Sequence, residues 1–454
     1  MTYHSFFQIL SNSTFVNTIY RLSFLLLILW GSGCTNNRID SVEMADKQER
    51  ISYLESTEKG IQLYFHQTPF FIKGATSFSN VTSLKEFGGN CLRIWDTDST
   101  MSDLDEAQDN QIAVLLVLNI LSERQGMDYT NREWILQQRE RIASDVKKYR
   151  DHPALMMWSL GNELDLDYQD MSVWQELDTL SRLVRSIDPR RLITTSIMPR
   201  RNTILYLKKY CPELDIIGIN SFGFAPDVEH LMGGPRGWNK AYFLSEWGPK
   251  GYWEVYQTDW EAAYEATSSE KIAFMNQVYQ KHIETQVAQC MGSFVFFWGY
   301  KQERTHTWFS FFDEEGAPSD LAHTMKALWS GEDRRDPTFE ISSITLNGIS
   351  GDHSIYVQPG EPISADLRVV HQHLSPITGT WEIRKEGHYR GINGGDQEPD
   401  TSPITDLIKV ADDESCQFSA PVEEGAYRLF YTVRDSSGSF GTANKCFFVM
   451  QTDS

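Results

Sequence analysis

Over residues 61–331 short apolar runs alternate regularly with longer amphipathic stretches, and this constrains the fold of the chain more than any other feature. Strands covered by helices on one side and by a core on the other are apolar throughout, so the pattern is that of βα units around a parallel sheet. Eight runs qualify as strands: Phe70–Gly74, Cys91–Trp95, Ala113–Asn119, Leu155–Leu160, Leu192–Ser196, Ile216–Asn220, Tyr242–Ser245 and Ser293–Trp298. The intervening stretch 131–149 has helical spacing, with Trp134, Ile135, Ile142 and Val146 on one stripe, and similar helices are expected at 171–186 and 269–289. Eight such units close into a (β/α)8 TIM barrel. The competing doubly wound sheet needs a nucleotide-binding turn that is not found here.

Beyond Gly331 the texture changes. Residues 332–337 form a charged linker ending in Pro337, and the remainder alternates polar and apolar residues between Gly and Pro turns. The expected second domain, 332–454, is therefore an all-β immunoglobulin-like sandwich. Its strands are expected at Ile344–Leu346, Ile355–Val357, Ala365–Val369, Thr380–Ile383, Tyr427–Val433 and Cys446–Val449, with a loop over 391–403.

The start of the chain bears on its address. Arg21 precedes an apolar run, Phe24 to Trp30, too short to span a bilayer, and Gly31-Ser32-Gly33-Cys34 follows. Residues 1–34 are similar to a signal peptide with a lipobox-like end, which implies export and a lipid anchor on Cys34 at a bacterial outer membrane or cell surface. Residues 35–60 are expected to be a polar tether and the entry to the barrel.

A formal net charge of −21 repels both a phosphate backbone and an anionic membrane surface, so nucleic acid is excluded as a partner and a neutral substrate fits best. The six cysteines show no CxxC and no spacing with His that would hold zinc; no metal or organic cofactor is expected. Cys91, Cys211 and Cys290 lie in apolar segments and read as buried small hydrophobes, whereas Cys416 and Cys446 are candidates for a pair within the second domain.

In a (β/α)8 barrel the chemistry sits at the C-terminal strand ends, and two carboxylates stand out there. Glu163 ends the fourth run, in Met157-Trp158-Ser159-Leu160-Gly161-Asn162-Glu163, and Glu246 ends the seventh, in Phe243-Leu244-Ser245-Glu246. Cleavage of a glycoside through a covalent intermediate needs two such groups about 5–5.5 Å apart, one protonated to assist the leaving oxygen and one ionised to attack the anomeric carbon.

The stretch from His152 to Glu163 resembles the acid/base segment of glycoside hydrolase family 2 and its clan A relatives. Ser245-Glu246-Trp247-Gly248 resembles their nucleophile segment, and the two occur in the right order. The resemblance covers residues 61–331 and implies a retaining β-glycosidase or endo-β-glucanase with Glu163 as acid/base and Glu246 as nucleophile. In that scheme the charge of Glu246 raises the pKa of Glu163. Arg93, in Gly89-Asn90-Cys91-Leu92-Arg93-Ile94-Trp95, is similar to the arginine that keeps the nucleophile ionised. Asn162 resembles the residue that binds the 2-hydroxyl, and Trp298 the tryptophan under the reacting sugar. Trp95, Asn220 and Trp247 complete the expected substrate contacts. Tyr300, Gln302, Glu303, Trp253 and Trp308 are candidates for further subsites.

The chain departs from family 2 in two respects. Little sequence separates Cys34 from the first barrel run, which leaves no room for the sandwich domains that precede the barrel in that family; a barrel followed by one sandwich is similar in architecture to the family 158 endo-β-1,3-glucanases. Phe222 also stands where a tyrosine that touches the nucleophile is usual. Two alternatives to a hydrolase of an oligo- or polysaccharide follow: a non-catalytic glycan-binding surface lipoprotein, or a retaining transglycosylase.

Overall fold

The structure is a computed structural model that describes residues 49–77, 80–286, 288–331, 338–371, 376–387, 398–399 and 401–451. The leader, Cys34, the tether up to residue 48, the linker 332–337 and most of the 391–403 loop lie outside the described residues.

Eight parallel strands form a closed barrel: Ile72–Thr76, Cys91–Trp95, Ala113–Leu118, Leu155–Asn162, Leu192–Ile197, Ile217–Asn220, Tyr242–Trp247 and Cys290–Val295. Each pairs with its neighbour in the chain, and the last pairs with the first through Gly292 opposite Ile72. Two expected strands are displaced. The first begins at Ile72 because Phe70 ends a different strand, and the eighth ends at Val295 although the apolar run continues to Trp298.

The helix expected over 131–149 is Arg132–Tyr149, capped by Asn131, whose side chain accepts from the backbone N–H groups of Glu133 and Trp134. Ile142 and Val146 are fully buried against the barrel, but Trp134 is 45% exposed and leaves the stripe. Neighbouring residues are about 100° apart around a helix, so the face that buries Ile142 and Val146 turns Trp134 outward. The helix expected over 171–186 is Ser172–Ile187. The one expected over 269–289 is Ser268–Val278, continued by a π-helical turn at Tyr279–Ile283.

The end of the stretch expected as tether and barrel entry, residues 52–60, is folded together with the residues that follow. Ser52–Thr57, Gly60–Phe65 and Thr68–Phe70 form a three-stranded antiparallel sheet over the N-terminal rim of the barrel. Its Leu63 is fully buried in one cluster with Leu115, Met157, Phe243 and Phe294. Ser52 Oγ donates to the carbonyl of Met156 (2.6 Å) and accepts from the N–H of Leu192 (3.0 Å), stitching the cap to strands four and five. With that end closed, the opposite rim is left for a site.

The C-terminal domain is a sandwich of two four-stranded sheets. One runs Thr345–Leu346, Pro362–Asp366, Ser415–Ser419, Ile408–Ala411, and the other Tyr356–Val357, Phe440–Val449, Gly425–Asp435, Ile377–Lys385. Their inner faces share a core that includes Ile363, Ile383, Phe418, Leu429 and Phe447. Cys416 and Cys446 lie on different sheets, and both are free and buried; the candidate disulfide is absent. Cys91, Cys211 and Cys290 are likewise buried thiols.

Polar contacts lock the sandwich to the barrel. Arg428, 1% exposed, donates two hydrogen bonds to the Glu386 carboxylate and one to the carbonyl of Ala263 in a barrel loop. Ser268, at the start of a barrel helix, accepts from the N–H of Thr442, and Asp320, at the start of the last one, accepts from that of Phe339.

Candidate active site

Strand four delivers Asn162 and Glu163 to the open rim by an abrupt change of backbone. Gly161 has φ 72° and Glu163 φ 51°, so a bulky residue occupies the left-handed region. Such a conformation costs on the order of 1–3 kcal/mol and is retained where surrounding contacts fix it. Here the Glu163 N–H donates to the carbonyl of Ser196 on strand five (2.8 Å).

Four strands then build one hydrogen-bonded network. Arg93 from strand two, with no exposed surface, donates through Nη1 to Glu246 Oε1 and through Nη2 to Asn162 Oδ1, both at 2.7 Å. Asn220 from strand six donates through Nδ2 to Asn162 Oδ1 and to Glu163 Oε1, both at 3.0 Å. Its Oδ1 accepts from Ser245 Oγ at 2.7 Å, which fixes the amide. Both carboxylates are therefore held by donors that are themselves held. The Arg93 guanidinium also lies 4.8 Å from the Trp95 ring centroid.

Burial pushes the Glu246 carboxyl up to about 7; the pull of Arg93 opposes the rise, the charge of Glu163 adds to it and Lys301 opposes it. In the structure burial, not charge, is the larger cause of the rise, and it acts on Glu246, which is only 7% exposed.

Glu163, Glu246, Asn162 and Trp95 line a cavity of about 920 Å³, whose wall also includes Tyr252 and Trp253. Phe222 closes one side, edge-on to both Trp253 and Phe296. Arg93 and Asn220 stand behind the wall and act through the residues they hold.

Besides Asn220, two more expected substrate contacts lie off the cavity wall. Trp247 is fully buried and stacked on Tyr279, because successive strand residues point to opposite faces and Glu246 takes the inner one. Trp298 is also fully buried, edge-on to Phe87 and Phe312, with Nε1 donating to Ser83 Oγ. The aromatic wall at strand eight comes instead from Phe296 and Phe297. Of the further candidates, Trp253 and Glu303 reach the cavity. Trp308 turns away to donate to the carbonyl of Lys250, and Tyr300 and Gln302 lie off the wall. Sequence reasoning passed over Lys301, a wall residue between those two; a lone cation just past an apolar strand end was the available sign. Among the described residues, no group of three or more His, Cys, Asp or Glu side chains is arranged to hold a metal ion.

Comparison with known proteins agrees in class. The family model for the TIM barrel domain of glycosyl hydrolases family 2 matches residues 100–244, the span that contains Glu163, and the barrel resembles that domain of the clan A glycoside hydrolases. Solved structures to which the chain is similar include β-glucuronidase 2 of Bacteroides uniformis covalently bound to cyclophellitol-6-carboxylate aziridine. It is 13% identical with TM-score 0.48, and the match covers 88% of this chain and 48% of that one. The β-glucuronidase of Parabacteroides merdae is 11% identical with TM-score 0.47, over 88% of this chain and 53% of that one. The chain thus spans about half the length of these structures. No curated protein matches the sequence.

Proposed function

We propose that the chain is a retaining β-glycoside hydrolase that acts on a neutral β-linked glycan by double displacement. The observation that carries this reading is the shared network that joins two cavity-lining acids through Arg93, Asn162 and Asn220. Of the two acids, Glu246 receives the Arg93 hydrogen bond, which favours its ionised form and suits it to attack the anomeric carbon. Glu163 then gives its proton to the departing oxygen, and in the second step takes one from the water that releases the sugar. Asn220, donating to Glu163 Oε1, keeps that carboxyl aimed across the cavity in both steps.

A β-glucan is the first substrate to test, beside aryl β-glycosides of several sugars. The wild type is expected to release a product whose anomeric configuration, read by NMR at early times, matches the substrate. Glu246→Ala is expected to lower kcat by 10⁴-fold or more, of the order seen when a nucleophile is removed. An inverted product overturns the double displacement; binding of glycan without cleavage overturns the hydrolase.

We also infer that the chain is exported and held at a bacterial cell surface by lipid on Cys34, from the pattern of residues 21–34. Among the described residues no helix is long and apolar enough to cross a membrane. Cys34→Ala is expected to release the protein from the membrane fraction, and an unchanged distribution overturns the anchor.

A further inference from the structure

Glu303 borders the cavity yet is 2% exposed, and its Oε2 has no hydrogen-bond partner. Lys301, equally buried on the same wall, stands 3.5 Å from that oxygen, within ion-pair reach. The charge of Glu246 is felt at Glu303 and that of Lys301 at Glu246, and the pair lines the same cavity as the proposed nucleophile. Neither residue has a role in the double displacement. A buried oxygen left without a donor costs about 1–3 kcal/mol, which is offset when a ligand supplies the donor.

The turn that presents them is held from both sides. Lys301 N–H donates to Ser310 Oγ at 2.9 Å, and Glu303 and Thr305 exchange backbone hydrogen bonds. Glu398 reaches in from the C-terminal domain: its Oε2 accepts from the Arg304 N–H (2.9 Å), and its own N–H donates to the carbonyl of Gln302 (3.0 Å).

Resting on the glycosidase reading, we propose that Lys301 and Glu303 clamp one hydroxyl of the reacting sugar, that this pair sets sugar specificity, and that Glu398 is its positioning residue. A hydroxyl is both donor and acceptor, so it gives its proton to Oε2 and accepts from the ammonium in a single site. A hydrogen in its place leaves Oε2 with only the 3.5 Å ion pair to Lys301. The clamp therefore selects the hydroxylated sugar over its deoxy counterpart.

The test uses the 4-nitrophenyl β-D-glucoside, galactoside, mannoside, xyloside and glucuronide, together with aryl β-disaccharides, and then the monodeoxy derivatives of whichever is cleaved fastest. One deoxy position is expected to lower wild-type kcat/KM by ~10²-fold or more, as sites built around a substrate hydroxyl do. Glu303→Ala is expected to lower kcat/KM for the parent by a similar factor while changing that deoxy substrate by less than about threefold on the same scale. Glu303→Gln, which preserves shape, is expected to fall between, with its melting temperature reported alongside. Glu398→Ala, which removes the acceptor of the Arg304 N–H, is expected to raise KM for the parent and leave the deoxy substrate unchanged, a split that a merely structural role does not give. Equal turnover of all deoxy derivatives by the wild type, or equal slowing of every substrate in Glu303→Ala, overturns the clamp and leaves the hydrolase reading standing. A wild type inactive on every parent substrate overturns both.

Discussion

Arg93 is the residue on which the division of labour between the two acids turns. Its guanidinium has no exposed surface and donates to Glu246 and Asn162 at once, so it fixes both the charge of one acid and the position of the residue preceding the other. Arg93→Met keeps the length and loses both bonds. Burial then acts on Glu246 without its principal opponent, and the carboxyl rises further above the value of about 7 at which the two now balance. A nucleophile must be ionised, so the acid limb of kcat/KM is expected to move to higher pH while the maximal rate falls by roughly 10²- to 10³-fold, as when a directed donor is removed from an active site. Arg93→Lys is expected to recover part of the limb but little of the rate, because one ammonium cannot bridge Glu246 and Asn162 as the fork does. A pH–rate profile of Arg93→Met that coincides in shape with the wild type would show that Arg93 serves only packing.

At the scale of elements, closure of the barrel depends on how closely strands eight and one approach. Gly292 has φ 113°, and a Cβ there would lie 2.1 Å from the Ile72 carbonyl oxygen, a backbone atom that cannot swing aside. Gly292→Ala is expected to destabilise the fold by roughly 3 kcal/mol or more, read as a lowered denaturation midpoint or as insoluble protein. A variant with the wild-type midpoint would mean that the seam is not tight. The same region marks what the sequence could and could not reveal. Strand two was legible from residue to residue, because the apolar run and the strand coincide at Cys91–Trp95. So were the acids, because an apolar run that stops at a lone carboxylate is a local pattern. Strand eight was not, because its apolar run outlasts its pairing. Past Val295 the chain is steered by distant partners, with the Phe297 N–H on the Phe309 carbonyl and the Trp298 N–H on that of Thr76. Those bonds turn Phe296 and Phe297 to the cavity and bury Trp298, and no spacing within the run encodes them. Lys301 was hidden for a related reason: the turn that sets its wall position is held by Glu398, a residue of another domain.

For the molecule as a whole, the buried carboxyls set how stability depends on pH. Burial raises Asp165 and Asp320 to about 6 and Glu246 and Glu303 to about 7. Each folded value lies above that of the unfolded chain, so the contribution of each is full below about pH 4 and is lost as pH rises through 6 to 7. Glu382 works in the opposite sense: burial would raise it, but hydrogen bonds from His306 and Arg384 hold it at about 2. Its stabilisation is lost only as pH falls below the ordinary carboxylate value, outside the window in which the other four titrate. The net charge of −21 near neutrality adds self-repulsion in the same direction as the buried acids. The melting temperature is therefore expected to be highest near pH 5 and to fall by several degrees by pH 8, since each raised carboxyl is worth on the order of 1–3 kcal/mol across the window. Asp320 isolates the cause, because it lies away from the cavity and accepts from the Phe339 N–H at the seam between the domains. Asp320→Asn keeps an oxygen for that bond but releases no proton on unfolding, so it is expected to flatten part of the decline and to be more stable than the wild type at pH 8. A melting temperature that rises from pH 5 to pH 8, or an Asp320→Asn profile parallel to the wild type, would show that these carboxyls are solvated rather than buried.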